Sequence, residues 1–173
     1  ESEDHPEFYE KQFGIERKVV DEGGFIVEST YYRGLLHSYM DKPAKITTKR
    51  TDPTFKKEEW YYFGKLHRQE GPAVINVNKN LKAENWYYDG VRHRIGGPAV
   101  ISESHDNNQF LGKVEIWYYN GKLHSEEGPA NITMMPMYTT QEWYYDGKRH
   151  RTDGPAVLTT DNDDGEIYEA EWY

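Results

Sequence analysis

Residues 142–158, EWYYDGKRHRTDGPAVL, set a Trp and two Tyr before an Asp-Gly turn signal, then a His between basic residues, then a Gly-Pro. The same order runs from Trp60 to Ala73, from Trp86 to Ala99, from Trp117 to Ala130 and from Trp143 to Ala156. A looser copy opens the series with Tyr31-Tyr32, Gly34 and His37. There Thr30 stands where Trp is expected, Lys42 replaces Gly, and Pro43-Ala44 comes one residue late. The chain ends at Glu171-Trp172-Tyr173, inside the start of another copy, and so reads as a trimmed or processed piece of something longer. The copies start 30, 26, 31, 26 and 29 residues apart, which marks a repeat architecture. In such arrays recurring residues usually hold the frame together.

The residues of Trp60-Tyr61-Tyr62 are strand formers, and period-two alternation places Trp60 and Tyr62 on one face and Tyr61 on the other. Asp89-Gly90, Asn120-Gly121 and Asp146-Gly147 are hairpin signals, because a type I′ turn needs positive φ at both central residues. Arg33 and Phe63 occupy the Asp/Asn position in two copies, where positive φ is strained, and this predicts a different turn there. Residues 65–68 are expected to form the return strand, and Gly71-Pro72 to end it, since proline cannot donate to a ladder. The next strand then begins at Ala73 or Ala99.

No stretch has helical spacing. The fold expected is all-β: tandem antiparallel β-hairpin repeats stacked into an elongated, twisted sheet with a Trp/Tyr/Ile core row. At about 25 cal/mol per Å² a buried Trp contributes several kcal/mol, enough to make it structural. The expected divisions are an acidic segment with degenerate first strands at 1–29, five repeats (about 30–46, 60–75, 86–101, 117–132 and 143–158), and an acidic segment with a partial sixth repeat at 159–173.

The core Tyr-x-x-Gly-Lys-x-His, followed by a second glycine, resembles the MORN family, and in particular the variant MORN-like hairpin repeats of bacterial, phage and giant-virus proteins. The resemblance covers residues 30–158 and the fragment at 171–173. It implies stacked β-hairpins and a role in binding or scaffolding, with no catalysis of its own. This chain departs from the family pattern in its longer interval and in having His-x-x-x-Gly-Pro-Ala in place of His-Gly-x-Gly.

The chain has 173 residues, 36% of them hydrophobic and 15% aromatic, and is expected to fold. It lacks cysteine, which excludes disulfides, thiolate chemistry and Cys-based zinc sites. No apolar run approaches the roughly 20 residues of a membrane span, so a soluble, cytoplasmic protein of a host or bacterium and no membrane partner are expected. The net charge of −9 sits at the ends: five acids in residues 1–10 and six in 161–173, with no base in either, leave the interior near +2. A nucleic-acid mimic should spread its acids along its length, and a nucleic-acid binder should carry a basic groove. Neither is seen, so no nucleic-acid partner is expected, although mimicry by the acidic ends stays open.

The histidine row (His37, His67, His93, His124, His150) suggests a metal or acid–base device. Equivalent residues in successive repeats should nonetheless lie roughly 10–14 Å apart, too far to share one zinc. The histidines and Trp60, Trp86, Trp117 and Trp143 are therefore read as structural. His5 and His105 fall outside the pattern, no Ser recurs beside the histidines, and no phosphate-binding glycine motif is present. Asn131-Ile132-Thr133 matches a glycosylation acceptor that matters only in a secreted protein. No catalytic residue, metal or cofactor is assigned.

The middle tyrosines, Tyr61, Tyr87, Tyr118 and Tyr144, with Tyr31, are the candidate partner-binding row, since alternation turns them away from the Trp face. Intervening segments 47–57, 76–84, 102–114, 133–141 and 159–168 are read as variable loops. The function expected is a non-catalytic scaffold for a protein partner, such as a viral or bacterial factor that blocks or tethers it. Alternatives are a carbohydrate-binding or cell-surface module and an acidic nucleic-acid mimic. Self-association through edge strands also stays open.

Overall fold

A computed structural model describes residues 14–173. Among them there is no helix, and every element is a β-strand. Twelve longer strands run antiparallel in strict chain order. They are β1 (Ile15–Glu22), β2 (Phe25–Tyr32), β4 (Lys45–Lys49), β5 (Asp52–Glu59), β8 (Val74–Val77), β9 (Leu81–Asn85), β12 (Val100–Asp106), β13 (Gln109–Ile116), β16 (Asn131–Met134), β17 (Tyr138–Glu142), β20 (Val157–Asp161) and β21 (Ile167–Glu171). The sheet is open, with β1 and β21 as its edges. Between successive long strands stand two-residue strands, paired as β6 (Tyr61–Tyr62) with β7 (Lys65–Leu66), β10 (Tyr87–Tyr88) with β11 (Val91–Arg92), β14 (Tyr118–Tyr119) with β15 (Lys122–Leu123), and β18 (Tyr144–Tyr145) with β19 (Lys148–Arg149). In the first copy β3 (Leu35–Leu36) pairs with the end of β2.

Each Trp is the point where the chain leaves the long sheet. Trp60 donates its N–H to Ala73, just before the neighbouring long strand β8, while its carbonyl accepts from His67, just after the return strand β7. Trp86, Trp117 and Trp143 do the same with Ala99 and His93, Ala130 and His124, and Ala156 and His150. The small hairpins then bond to one another. The turn glycines Gly64, Gly90, Gly121 and Gly147 donate to Leu36, Leu66, Arg92 and Leu123 of the copy before. A ribbon of tight hairpins thus runs along one margin of the long sheet.

The turns are alike in all five copies. Positive φ occurs at Asp89, Asn120 and Asp146, and also at Arg33 (51°) and Phe63 (44°), followed each time by a positive-φ glycine. The expectation of a different turn at Arg33 and Phe63 is therefore overturned. Contacts from the copy before hold Phe63: its N–H donates to His37 Nδ1 and its ring lies 4.7 Å from His37, centroid to centroid, while its own neighbour Tyr62 packs edge-on at 4.8 Å. Arg33 sets its guanidinium 5.2 Å from the Tyr32 ring.

The core also differs from the expected aromatic row. The residues most completely shut from water are the alanines of the Pro-Ala steps: Ala44, Ala73, Ala99, Ala130 and Ala156, each at most 1% exposed. They sit where the long sheet and the ribbon meet, and only a methyl fits beside a backbone bonded on both sides. Trp60, Val74 and Val157 complete the buried hydrophobic set, whereas Trp86, Trp117 and Trp143 are half-buried. Ile75, Ile101 and Ile132 are half-buried too, as expected of a single layer without a covering sheet.

The segments read as variable loops are mostly strand: they form the far halves of the long hairpins, joined by short turns such as Arg50-Thr51 and Asn107-Asn108. They looked like loops because water bathes both faces. Their polar residues pair along the strand, as in Lys56–Glu58 (2.7 Å), Lys82–Glu84 (2.7 Å) and Lys113–Glu115 (2.6 Å). The return strand is two residues long instead of four, because the Trp60 N–H, which would continue the small ladder opposite His67, goes to Ala73, and the Arg68 N–H goes to Tyr87 of the next copy.

Candidate functional site

The ribbon carries a continuous ladder of rings. Tyr32, His37, Tyr62, His67, Tyr88, His93, Tyr119, His124, Tyr145 and His150 follow one another at centroid distances from 4.6 to 6.5 Å. The tyrosines here are the second of each pair. Alternation led to the expectation that they turn to the core with Trp, yet Tyr62, Tyr88, Tyr119 and Tyr145 are 53–58% exposed. The strand changes partners at each Trp, so the face count does not carry across it.

Four of the five imidazoles lock one copy to the next. His37, His67, His93 and His124 accept at Nδ1 from the N–H of Phe63, Asp89, Asn120 and Asp146, at 3.3, 3.1, 3.2 and 3.1 Å. Such bonds place a neutral ring's proton on Nε2. Burial pushes the His37 pKa below its ordinary value. Among the described residues no group of three or more His, Asp or Glu is gathered to hold a metal ion; His5 lies outside them.

The middle tyrosines are half-buried on the other face of the ribbon and tied into polar clusters. Tyr61 Oη donates to Glu59 Oε1 (3.3 Å), and Tyr144 Oη to Glu142 Oε1 (3.3 Å). Arg92 Nε donates to Tyr87 Oη (3.1 Å), and the guanidinium lies 5.5 Å from the Tyr118 ring. Arg149 joins Tyr144, Glu142, Glu171 and Tyr173. Tyr61 is pushed up to about 12, first by burial and then by the charge of Glu59. Asn131, of the tripeptide noted above, donates from Nδ2 to Glu142 Oε2 (2.6 Å).

Recurring arginines escaped notice in the sequence. Arg68, Arg94 and Arg151 follow the histidine in three copies and lay their guanidinium carbons 3.9 Å from the ring centroids of Trp60, Trp86 and Trp143. The signal was present, since Arg recurs at that position wherever Trp does, with one exception. Between successive Gly-Pro loops lie shallow grooves of about 710, 660 and 510 Å³, floored by Trp60, Trp86 and Trp117 in turn. At the C-terminal end Asp161 and Asp164 accept from backbone N–H groups of their own turn, and Tyr168 Oη donates to Asp161. Residues 1–10, the other acidic end, lie outside the described residues.

All-β architecture, a sheet of consecutive hairpins and a ring-lined margin define the class: a β-hairpin repeat protein. No family model matches the chain, and no curated protein matches it.

Proposed function

We propose that this chain is a non-catalytic repeat scaffold that binds another protein through the strip formed by Tyr62, Tyr88, Tyr119 and Tyr145. The observation that carries the reading is that four tyrosines, each more than half exposed, stand in one line on a backbone stitched from copy to copy. Rigid aromatic side chains offer large contact area at low entropic cost, and a contiguous aromatic patch left in water marks an interaction surface. Repetition supports the non-catalytic part, because a catalytic pocket needs an asymmetry that equivalent copies lack. A MORN-like array acting as a viral or bacterial blocking or tethering factor belongs to the same reading.

Capture of partners by the full chain tests this, with folding followed by circular dichroism. Partner loss on changing Tyr62, Tyr88, Tyr119 and Tyr145 to Ser supports the strip, and unchanged recovery removes it. The same four-fold change at Tyr61, Tyr87, Tyr118 and Tyr144 asks whether the half-buried row contributes. Exposed tyrosine faces also suit sugar stacking, so a carbohydrate-binding module is the second reading, and binding on a glycan array decides for it.

A further inference from the structure

In three copies the arginine after the histidine completes a small receptor. Its guanidinium lies over the indole and donates from Nη1 to the proline carbonyl of the same loop: Arg68 to Pro72 (3.4 Å), Arg94 to Pro98 (2.9 Å) and Arg151 to Pro155 (3.3 Å). The opposite wall is a glycine. A Cβ at Gly71, Gly97 or Gly154 would meet the guanidinium at 3.4, 3.1 or 2.8 Å. Ring, carbonyl and glycine together suit a flat cation with N–H groups at its edge, which describes a guanidinium and not an ammonium.

The first copy has neither half of this device, with Thr30 for the Trp and Ser38 for the Arg. The Trp117 copy has only the receptor. Trp117, Gly128 and Pro129 are in place, but Ser125 stands where the arginine would be. Among the described residues no Lys or Arg lies over the Trp117 ring. A Cβ at Gly128 would meet nothing within 4 Å, and Gly128 has no positive φ to require glycine. The groove of about 510 Å³ runs past Trp117, Ser125 and Glu126, with Arg94 on its far wall turned toward Trp86 and Pro98; the sibling grooves at Trp60 and Trp86 are larger, but there an arginine covers the indole.

Charge points the same way. The two residues after Ser125 are Glu126 and Glu127, whereas the sibling loops have Gln69-Glu70, Ile95-Gly96 and Thr152-Asp153. Of the two copies without the arginine, the one that keeps its Trp is the only copy with two adjacent carboxylates in this loop.

We propose that the Trp117 groove binds an arginine side chain presented by a protein partner, seated where the chain's own guanidinium sits in the three sibling copies. This rests on the binding-scaffold reading and names the partner's anchoring chemistry. Ser125→Arg should fold, since it recreates the sibling arrangement, and should cover the Trp117 ring as Arg68, Arg94 and Arg151 cover theirs.

The test is nuclear magnetic resonance on the full chain, with acetyl-Gly-Gly-Arg-Gly-Gly-amide as probe and its Lys counterpart as control. The Arg peptide should bind weakly, with Kd on the order of millimolar, and shift the Trp117 indole N–H and the Gly128 amide. The Lys peptide should bind at least about five-fold more weakly, for want of a planar fork. Ser125→Arg should abolish the shifts. No saturable shift at Trp117, equal shifts at Trp86 and Trp143, or binding that survives Ser125→Arg overturns the proposal. The tyrosine-strip capture experiment uses other residues and another readout, so the two readings fail separately.

Discussion

The two margins of the sheet are built to different tolerances. Along the ribbon, five copies reproduce one turn, one alanine step and one set of copy-to-copy bonds. Along the far margin the hairpins differ in length: β8 and β9 have 4 and 5 residues, β12 and β13 have 7 and 8. That difference accounts for the change in interval from 26 to 31 residues, because everything between Trp and Ala stays fixed. A repeat array keeps register at one margin and absorbs variation at the other.

The same enlargement made at the two margins should separate them most. Ala99→Leu puts a branched side chain where the residue is 0% exposed and backbone closes on both sides, so a loss of roughly 2–3 kcal/mol is expected from overpacking. Ala83→Leu, on the half-buried far part of β9, is expected to change stability by no more than about 0.5 kcal/mol. Urea unfolding followed by Trp fluorescence measures both, and equal losses would erase the distinction.

Turn glycines give a smaller contrast. Gly121 (φ +79°) and Gly165 (φ +77°) have nearly the same backbone, so Ala at either should cost about 1–2 kcal/mol for the left-handed conformation. At Gly121 the new Cβ also meets Val91 Cγ1 at 2.9 Å, while at Gly165 it meets nothing within 4 Å. The excess loss in Gly121→Ala over Gly165→Ala therefore measures how tightly one small hairpin packs on the next. No excess would mean that the ribbon is held by its backbone bonds alone.

What the sequence disclosed follows the same line. The Asp-Gly and Asn-Gly turns were legible because their φ preference is local, and the all-β class because strand and turn signals recur. Phe63 in the left-handed region was not legible, since the His37 contacts that hold it come from 26 residues upstream. The alanine core was hidden because a small side chain is buried only when backbones on both sides close over it. The exposure of Tyr62 and its equivalents was misread because alternation assumes one continuous strand, and the chain changes sheet partners at Trp. The Glu and Arg groups that tie down the middle tyrosines are close in sequence, Glu59 and Glu142 two residues before Tyr61 and Tyr144, and Arg92 and Arg149 five residues after Tyr87 and Tyr144, so this tethering was open to reading from the strand period. The guanidinium receptor was open to reading from the His-Arg pairs; only its geometry gives the exception at Ser125 a meaning.

The imidazole stitches come next in size. His67→Leu removes the acceptor for the Asp89 N–H at the surface, and about 1 kcal/mol is expected, the ordinary worth of one such bond. Acid should act on the matching bond at His37, because a protonated Nδ1 can no longer accept from Phe63. For His37 burial puts the folded-state pKa below the unfolded value, so its contribution is complete above the ordinary imidazole range and is lost as pH falls through the folded value. The urea midpoint of the wild type should fall from about pH 8 to about pH 5.5, and less so in His37→Leu. A pH-independent difference between the two proteins would remove His37 from the account.

The smallest effect is expected from the ion pairs that also join neighbouring turns. Lys122 Nζ lies 2.7 Å from Asp146 Oδ1, and this hydrogen bond, then its charge, holds the Asp146 carboxyl below the usual range. A depressed folded-state pKa means that any stabilisation is present above the unfolded carboxylate range and lost as pH falls. Both side chains are well over half exposed, at 57% and 65%, so water and salt screen the pair at neutral pH. Lys122→Ala, alone or with Lys65→Ala, which breaks the matching Lys65–Asp89 pair, should leave the urea midpoint unmoved in about 0.15 M salt. A drop as large as that of His67→Leu, vanishing in high salt, would mean that the ribbon keeps register by charge. Its rigidity relative to the far margin would then depend on ionic strength instead of on ring and backbone geometry.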